Sequence, residues 1–474
     1  MPQDHKARWL AAFVDEMDLT ELEAMYHGVG SQAYPPALML KVVLLEMLEG
    51  RLSPSRWAKD LWENVALQWI GMGIRPRRTA LYEFRDRVGK VITELHTAVV
   101  RKAIAAGLVL GESGVLDGTA IRACASRHRL LNQSRLQRRC AELEAALQQD
   151  VAGATVESPP KWMATTAAGR RQQAKRYANA QRILERRLAE NAKKLKDRRL
   201  EDAKVMVSTS DPQAPLGRDK EKVFAPLYTA EYMVEPSSLV ILSFDVFAQA
   251  SDAGTLPVML DQTKQVIGRH LQTVIADAGY VSVLDLEACA QREVELTAPY
   301  QENDYTQAKG DSKPDGVIGK DAFVWDAQEQ TYYCPMGHRL EHKRQQTRAR
   351  RHGDSVIVHQ FQCSPEHCRT CPLRERCVRD PEKGRMVTRM EGQELLDAHR
   401  QRMQTPEAKA QRRMRGSVIE RCFGDAKQHR NLRRLHGRGL QRARAEVGLL
   451  VLAQNAMTLT RLARTAVNPA ENTS

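Results

Sequence analysis

The sequence predicts a multidomain α+β protein with a mixed-sheet core that two insertions interrupt. Its 474 residues exceed the length at which one hydrophobic core usually stops growing. Strand-like and helix-like patterns alternate through the middle of the chain, which is typical of an α/β order with a mixed sheet, whereas both ends are helical in pattern. A leucine-bearing helical block and a cysteine-rich block break this alternation.

The composition favours a polyanionic partner. Lys and Arg outnumber Asp and Glu by 72 to 58, giving a formal charge of +14. No run of eighteen apolar residues exists, and the first residues are acidic where a signal peptide would be basic and then apolar. We therefore expect a cytoplasmic, nucleoid-associated protein with no membrane partner.

The N-terminal pattern predicts a helical module. One apolar helix follows Tyr34-Pro35-Pro36 and ends before Gly50, and further helices are expected over 53–67 and 79–91. Three short helices with a glycine turn between the last two suggest a helix-turn-helix-like DNA-binding domain. Arginines cluster on or before its last helix, where phosphate contacts would be made: Arg75, Arg77, Arg78, Arg85 and Arg87. The alternative is a solvated basic face on a packing domain.

The core pattern begins with a strand at 114–122 that carries one acid. A helical hairpin over 130–203 follows, and its basic outer faces favour solvation over DNA binding. An antiparallel strand pair is then predicted at 223–234 and 239–247. The remaining elements are a helix (253–268), a strand (270–277), a helix (282–291) and a strand (294–297).

Three acids stand out by position. Asp117 lies inside an apolar strand, Asp277 ends an apolar run, and Glu420 lies in a strongly basic helical segment. Carboxylates are hard ligands that hold Mg²⁺ together with substrate phosphate, and two such ions can drive in-line displacement at phosphorus. Each acid also has a structural interpretation. Burying Asp117 unpaired is costly, Asp277 could form a turn, and Ser417 with Glu420 could form a capping box.

Two further acids compete with Asp277 for the second position. Asp252 is well placed as an N-cap, and Asp245 lies in a strand. We rank both below Asp277.

The C-terminal segment over 411–444 is the most basic part of the chain, with eleven Arg or Lys against two acids. So many positive charges in one segment favour binding to an anionic partner. Lys427 lies two helical turns after Glu420, so both side chains could face one phosphate-bearing ligand. The other candidate DNA contacts here are Arg413, Arg430, Arg433 and Arg434.

Five of the nine cysteines crowd into 334–377, with Cys334 alone and then Cys363, Cys368, Cys371 and Cys377. Thiolates at C-x2-C spacing suit a tetrahedral structural zinc site with four protein ligands. His338 and His367 compete with the five thiols for the four positions. An iron–sulfur cluster would fit the same sulfurs.

Three sequence blocks resemble the acidic blocks of DDE-type bacterial insertion-sequence transposases. They are Leu116-Asp117-Gly118-Thr119, the run from Ile275 to Tyr280, and Ile419-Glu420-Arg421-x-Phe423-Gly424-x-x-Lys427. The N-terminal stretch with Ser55-Arg56 and the C-terminal 438–455 are also similar to those transposases, so the resemblance covers nearly the whole chain and adds Arg56 to the candidate DNA contacts.

The resemblance implies an RNase H-like core with the first Asp on the first strand, the second after the fourth strand, and the Glu on a later helix. It implies Asp117, Asp277 and Glu420 as catalytic ligands of two Mg²⁺ or Mn²⁺ ions per active site. It favours Cys334, Cys368, Cys371 and Cys377 as zinc ligands of a zinc-ribbon-like insertion, with Cys363 as the alternate.

The implied activity is binding to terminal inverted repeats, cleavage at the element ends and strand transfer into target DNA, by a homodimer on double-stranded DNA. Related transposases carry an Arg four positions before the Glu, where this chain has Gly416, so Arg413 or Arg415 is expected to contact DNA instead. Two rivals remain: an inactive descendant that only binds DNA, and a nuclease that cuts without joining.

These inferences divide the chain into five parts. They are a DNA-binding domain (1–110), an RNase H-like core (111–129 and 204–299), a helical hairpin (130–203), a cysteine-rich insertion (300–400) and C-terminal helices with the Glu and the basic segment (401–474).

Overall fold

The structure is a computed structural model with a mixed α+β architecture. It describes residues 1–26, 33–194, 196, 199–219, 221–299, 318–349, 355–378, 380 and 382–467. Residues 300–317, the start of the predicted cysteine-rich insertion, lie outside the described residues.

Within these described ranges, six helices precede the first strand. They are α1 (Lys6–Asp15), α2 (Thr20–Ala24), α3 (Pro36–Leu48), α4 (Pro54–Glu63), α5 (Val65–Ile70) and α6 (Arg78–Ala105). The single helix expected over 53–67 is wrong, because Asn64 ends α4 and its side chain accepts hydrogen bonds from Ala66 N and Leu67 N at the start of α5. Helix α6 runs well beyond the predicted residue 91 because its later turns are buried too.

The predicted first strand is β1 (Ser113–Arg122), and the predicted hairpin follows it. Its elements are β2 (Leu130–Leu131), α7 (Gln133–Val151), α8 (Ala167–Ala192) and β3 (Val207–Ser208). The hairpin buries its own side chains in two small clusters, which include Leu136, Tyr177 and Leu184 and, nearer its tip, Leu143 and Met163. It is therefore an arm whose packing is separate from the main core.

The chain then completes the main sheet. Its elements are β4 (Leu216–Arg218), β5 (Phe224–Val234), β6 (Ile241–Phe247), α9 (Leu256–Ile267), β7 (Thr273–Ile275), α10 (Val283–Gln291) and β8 (Glu295–Thr297). This six-stranded sheet has the order β6-β5-β1-β7-β8, with β4 also beside β5. β5 pairs antiparallel with β1 and β6, whereas β7 pairs parallel with β1 and β8. The predicted mixed sheet is present.

The cysteine-rich insertion holds a second, antiparallel sheet. Its elements are β9 (Val324–Asp326), β10 (Thr331–Tyr333), β11 (Arg339–Ala349), β12 (Ser355–Cys363), α11 (Pro365–Arg369), α12 (Arg374–Cys377) and β13 (Met386–Met390). The strands lie in the order β13-β12-β11-β10-β9 and enclose a small core around Tyr332 and Phe361. The sequence analysis did not predict these strands, because β11 is polar on both faces and lacks an alternating pattern.

The last three helices of the described part of the chain are α13 (Gln393–Arg402), α14 (Pro406–Gly424) and α15 (Leu440–Val467). A π-helical turn, Asp425–His429, extends α14. Helix α15 packs against α3, α6 and β6, and all its residues from Val447 to Ala456 are buried. A Cβ added at Gly448 would touch Phe244 and Ile92. Helix α6 approaches α15 so closely at Gly89 that an added Cβ would lie 2.5 Å from Ala445 Cβ.

One hydrophobic core joins the N-terminal helices, the main sheet and α15. Among the described residues, no helix combines the length and the apolarity that crossing a membrane requires.

A polar cluster is buried in this core where α6, α15 and β6 meet. The Asn455 side chain accepts from Ile241 N at 2.9 Å and donates to the Ile241 carbonyl oxygen at 2.8 Å. His96 Nε2 lies 2.9 Å from the same carbonyl oxygen. Burial lowers the pKa of His96 to about 4, so the ring stays neutral in the folded protein.

We expect His96 to make the folded protein acid-sensitive. Below pH 6.5, the ordinary pKa of histidine, His96 binds a proton in the unfolded chain, whereas in the folded chain it stays neutral down to about pH 4. The wild type should therefore lose up to about 3 kcal/mol of unfolding free energy across this window through His96 alone. The His96→Gln variant should lose less, as measured by urea unfolding midpoints between pH 7 and 4.

The exposed His128 supplies the control, because His128→Gln should follow the wild type. An identical pH dependence in His96→Gln and the wild type would contradict the expectation.

Candidate active site

Asp117 is held by the central strand of the main sheet. Its neighbours Val115 and Leu116 are fully buried, and its Cα partner on β5 is Tyr232. The Asp117 carboxylate accepts from Gly118 N at 2.9 Å. Its side chain is 15% exposed, so it lies at the boundary between the core and a cleft.

Asp277 follows β7, which runs parallel to β1 with Val115 opposite Ile275. It caps a single 3-10 turn, Ala278–Tyr280, and accepts from Gly279 N at 2.6 Å. Asp277 is therefore a turn former, as its structural interpretation predicted. That role leaves its second oxygen for another ligand.

Arg415 on α14 brings the two acids together. Its Nη2 lies 3.0 Å from Asp117 Oδ2 and 3.7 Å from Asp277 Oδ2. Two carboxylates from neighbouring parallel strands thus converge on one cation. Arg413 or Arg415 is expected from the sequence to contact DNA; of the two, Arg415 contacts the acids and Arg413 is exposed.

Glu420 lies in the middle of α14. The capping-box interpretation is wrong, because Thr405 caps this helix through Ala408 N and Ser417 donates to the Met414 carbonyl oxygen within it. Glu420 is exposed and lines the same cleft as Asp117. A helix-capping requirement therefore does not explain an acid here.

The cleft has a volume of about 930 Å³ and carries both signs of charge. Asp117, Glu420 and Asp425 line it together with Arg415, Arg421, Lys427 and Arg433. Asp277 is not among its lining residues and meets the cleft through Arg415. Such a cleft suits a phosphate-bearing ligand with bound cations, because the basic side chains can bind the phosphates and the acids can bind the cations.

Two acids beside this site were missed or ranked low by the sequence analysis. Glu231 on β5 is fully buried, and burial together with Asp252, Asp117 and Asp245 raises its pKa to about 9. An isolated acid in an apolar strand, the signal that marked Asp117, would have found Glu231 as well.

Asp252 lies against β1. A Cβ added to Gly118 would be 2.4 Å from Asp252 Oδ1, so glycine is needed for this approach. Asp252 is not the N-cap that the sequence suggested, since Thr255 occupies that position of α9. Asp245, the other competitor, is bound by Arg444 Nε at 2.7 Å and Gln262 Nε2 at 2.8 Å, away from the cleft.

Most of the predicted DNA-contacting arginines present their side chains to solvent. Arg56 and Arg433 are about half exposed and pair with Asp60 and Glu221, and the rest of this group is also exposed: Arg75, Arg77, Arg78, Arg413 and Arg434. Arg75 stacks its guanidinium 4.1 Å from the ring centre of Trp62.

Three predicted contacts point inward instead. Arg85 is 2% exposed and pairs with Glu446 at 3.2 Å and Asp86 at 2.8 Å. Lys427 Nζ donates to the Ala120 carbonyl oxygen on β1 at 2.9 Å. Arg430 donates to the Leu48 carbonyl oxygen and pairs with Asp425 at 3.1 Å. These side chains link the basic segment to the rest of the fold.

The cysteines of the insertion meet at one small cavity. It is lined by Cys334, Cys363, Cys368, Cys371 and Cys377 and by His338 and His367, whose rings stack at 4.1 Å. Burial and hydrogen-bonding contact with the Cys368 and Cys334 thiols raise the pKa of Cys363 to about 12. Within the described ranges, no group of three or more His, Cys, Asp or Glu side chains has a geometry that could hold a metal ion.

Two comparisons identify the protein class. Residues 1–87 match the family model described as "Transposase domain (DUF772)", and residues 333–460 match the one described as "Transposase DDE domain". The second match includes Glu420 and the cysteine cluster but neither Asp117 nor Asp277. No curated protein and no solved structure matches the chain.

Each match covers only part of the chain, and both are to transposase domains. Together they indicate a DDE-type insertion-sequence transposase, the family that the three sequence blocks resemble.

Substituting the inward-pointing Arg430 should destabilise the protein more than substituting the exposed Arg434. Arg430→Ala removes a buried donor from the Leu48 carbonyl oxygen and a partner from Asp425, so it should lower the free energy of unfolding by about 1–3 kcal/mol. Arg434→Ala, at an exposed side chain, should change it by less than about 0.5 kcal/mol. Chemical denaturation of both variants measures the difference, and equal stabilities would mean that Arg430 is not a structural contact.

Proposed function

We propose that this transposase binds the ends of its insertion sequence and catalyses metal-dependent DNA strand cleavage and strand transfer with Asp117, Asp277 and Glu420. One observation carries the proposal: Asp117 and Asp277, on different strands, share the guanidinium of Arg415 beside a cleft that Glu420 lines. Carboxylates that converge on the Arg415 guanidinium could bind a divalent metal ion in its place.

The strand order supports an RNase H-like core. In the six-stranded main sheet, Asp117 lies on the first strand in chain order and Asp277 directly follows the fifth, β7, with Glu420 on a later helix. Without the three-residue β4, which pairs with one end of β5, this is the order that the resemblance to DDE transposases implies. We extend the proposal to a zinc-ribbon-like fold for the cysteine-rich insertion.

The donor chemistry fits divalent metal, although the described side chains do not form a ready-made metal cage. Asp117, Asp277 and Glu420 offer hard oxygen ligands, and Arg415 already marks a point where positive charge is stabilised. These three acids would hold two Mg²⁺ or Mn²⁺ ions. Such ions, when bound, supply activation of the attacking oxygen and stabilisation of the leaving oxygen.

The chain's own residues would position the DNA. Arg421 and Arg433 line the cleft with their positive charge next to the acids and would bind the phosphates that flank the scissile one. Lys427 and Arg430 would act indirectly, by fixing the π-helical turn against β1 and α3. Glu231 would stay protonated behind Asp117 and would add no further negative charge to the site.

The surface arginines would extend this contact. Arg56, Arg75, Arg77 and Arg78 on the N-terminal helices, and Arg413 and Arg434 at the C-terminal end, are exposed and suited to phosphate binding. Arg85 is left out because its guanidinium is buried against Glu446. The DNA partners would be the terminal inverted repeats and the target, bound by a dimer in the nucleoid of a bacterial cytoplasm.

A structural zinc ion is the second part of the proposal. Thiols are soft ligands that suit zinc, and backbone N–H groups of Leu373 and Arg385 lie 3.4 Å from the sulfurs of Cys371 and Cys368, where they would stabilise thiolate charge. We propose Cys334, Cys368, Cys371 and Cys377 as the ligands. Cys363, whose thiol contacts two of them, is the alternate.

Replacing each acid separately tests the catalytic site. Asp117→Asn, Asp277→Asn and Glu420→Gln should each abolish Mg²⁺- or Mn²⁺-dependent cleavage and joining while leaving the fold and DNA binding nearly intact, because two-metal chemistry requires every carboxylate ligand. The assay is single-turnover nicking and joining of duplex DNA that carries the flanks of the coding region, with melting temperature measured on the same proteins.

Glu407→Gln is the matched control, since Glu407 is an exposed acid on the same helix as Glu420. It should retain activity. A Glu420→Gln protein that still cleaves would remove Glu420 from the site. Cleavage without joined products in the wild type would point to a nuclease, and metal-dependent binding without cleavage would point to an inactive descendant.

Metal analysis tests the zinc site. Freshly purified, unoxidised protein should contain about one zinc per chain, and Cys371→Ser should lose it and destabilise the insertion. Cys124→Ser, outside the cluster, should keep it. Retention of zinc by Cys363→Ser would leave the proposed four ligands in place, whereas a wild type without zinc would contradict the site.

A further inference from the structure

The outer face of helix α8 carries a basic stripe. Five exposed side chains form it: Arg171, Lys175, Arg182, Arg186 and Lys193. They follow each other at intervals of four, seven, four and seven residues, and Lys193 keeps helical backbone angles just beyond the end of α8. At about 100° per residue, this spacing keeps all five on one face of the helix.

This face is unusually uniform. An arc of about 80° contains eight exposed positions, which are the five basic residues and three alanines: Ala168, Ala178 and Ala189. The acids of the helix, Glu185 and Glu190, lie outside the arc. Alanine side chains are short, so a flat ligand can approach the helix closely between the charges.

The stripe repels itself in the free protein. Arg171 with Lys175, and Arg182 with Arg186, are like-charge pairs four residues apart, a spacing that destabilises a helix. Glu190 offsets this only weakly, at 3.7 Å from Arg186 on an exposed surface. A merely solvated helical face usually mixes the two signs. Binding of a polyanion would reduce the repulsion between these basic side chains.

The arm that presents the stripe is firmly built. The opposite face of α8 packs Tyr177 and Leu184 into the hairpin's own cluster, and Arg170 pairs with Asp150 at its tip. At its base, the Arg187 guanidinium donates to the carbonyl oxygens of Pro212 and Ala214 at 3.0 and 2.8 Å. The adjoining Asp211 accepts from Gly439 N at 3.1 Å, next to the C-terminal basic segment.

We infer that the inserted hairpin is a second DNA-binding element, whose α8 stripe lies along the phosphate backbone of duplex DNA. The inference rests on the proposed function, in which DNA occupies the cleft that Asp117 and Glu420 line. From Arg171 to Lys193 the stripe is roughly 33 Å long at about 1.5 Å per residue, close to one turn of B-DNA. The three alanines offer no large apolar anchor of the kind that inserts into a lipid surface.

The test replaces all five stripe residues with glutamine, which keeps helix propensity and removes the charge. Binding of the full-length protein to a fluorescent, mixed-sequence 60-base-pair duplex is measured by anisotropy between 50 and 200 mM KCl without divalent metal. The slope of log affinity against log salt should fall by about three to five, and the affinity at 150 mM should weaken at least tenfold.

A matched variant removes the same charge elsewhere on the hairpin. It carries Gln at five other exposed basic positions: Arg135, Arg138, Lys161, Arg176 and Lys194. Its slope should fall by no more than about one. Both variants should melt within a few degrees of the wild type, because the altered side chains are exposed. Lys175→Gln, Arg182→Gln and Arg186→Gln combined give a second measurement with a slope change of about two to three.

Three results would overturn the inference: a wild-type slope in the stripe variant, an equal change in both variants, or loss of binding to anionic phospholipid vesicles without loss of DNA binding. A wild type that does not bind duplex DNA would overturn the DNA-binding part of the proposed function as well. A wild type that binds and cleaves DNA while the stripe variant binds equally well would refute the stripe alone.

Discussion

Strand β1 must be paired on both edges, because its backbone N–H and C=O groups are buried and need partners. It pairs antiparallel with β5 through Val115–Arg122 and parallel with β7 through Ser113–Val115. These ladders fix the register that brings Asp277, just after β7, next to Asp117. Helix α14 then crosses the same edge, so that Arg415 reaches both carboxylates. The candidate site is a consequence of how one strand satisfies its hydrogen bonds.

Local patterns predicted much of this arrangement. The strand patterns at 114–122, 223–234 and 239–247 correctly indicated β1 and the β5–β6 pair, since short-range periodicity determines these elements. The leucine spacing correctly indicated α7 and α8. The resemblance to known transposases supplied what periodicity alone could not, the grouping of Asp117, Asp277 and Glu420 as one site, and their roles stay predictions.

Features that depend on tertiary contacts were not predictable. Nothing local distinguishes Arg415, which binds the acids, from Arg413, which is exposed two residues earlier. Arg85 looked like a surface arginine, yet it is buried because α15 brings Glu446 to it. The capping-box pattern at Ser417 was genuine as a local signal, but α14 continues through it. The pairing of β11 with β12 brings Cys334, which lies before β11 in the chain, close to Cys363.

Helix α15 has a consequence for biosynthesis. It is the packing partner of α3, which is buried from Met39 to Leu48, and of α6, yet it leaves the ribosome after all of them. The apolar faces of α3 and α6 that α15 covers therefore stay exposed while most of the chain is synthesised. A nascent or prematurely terminated protein keeps those faces exposed and is a target for chaperones and proteases. Shortened products therefore should not accumulate.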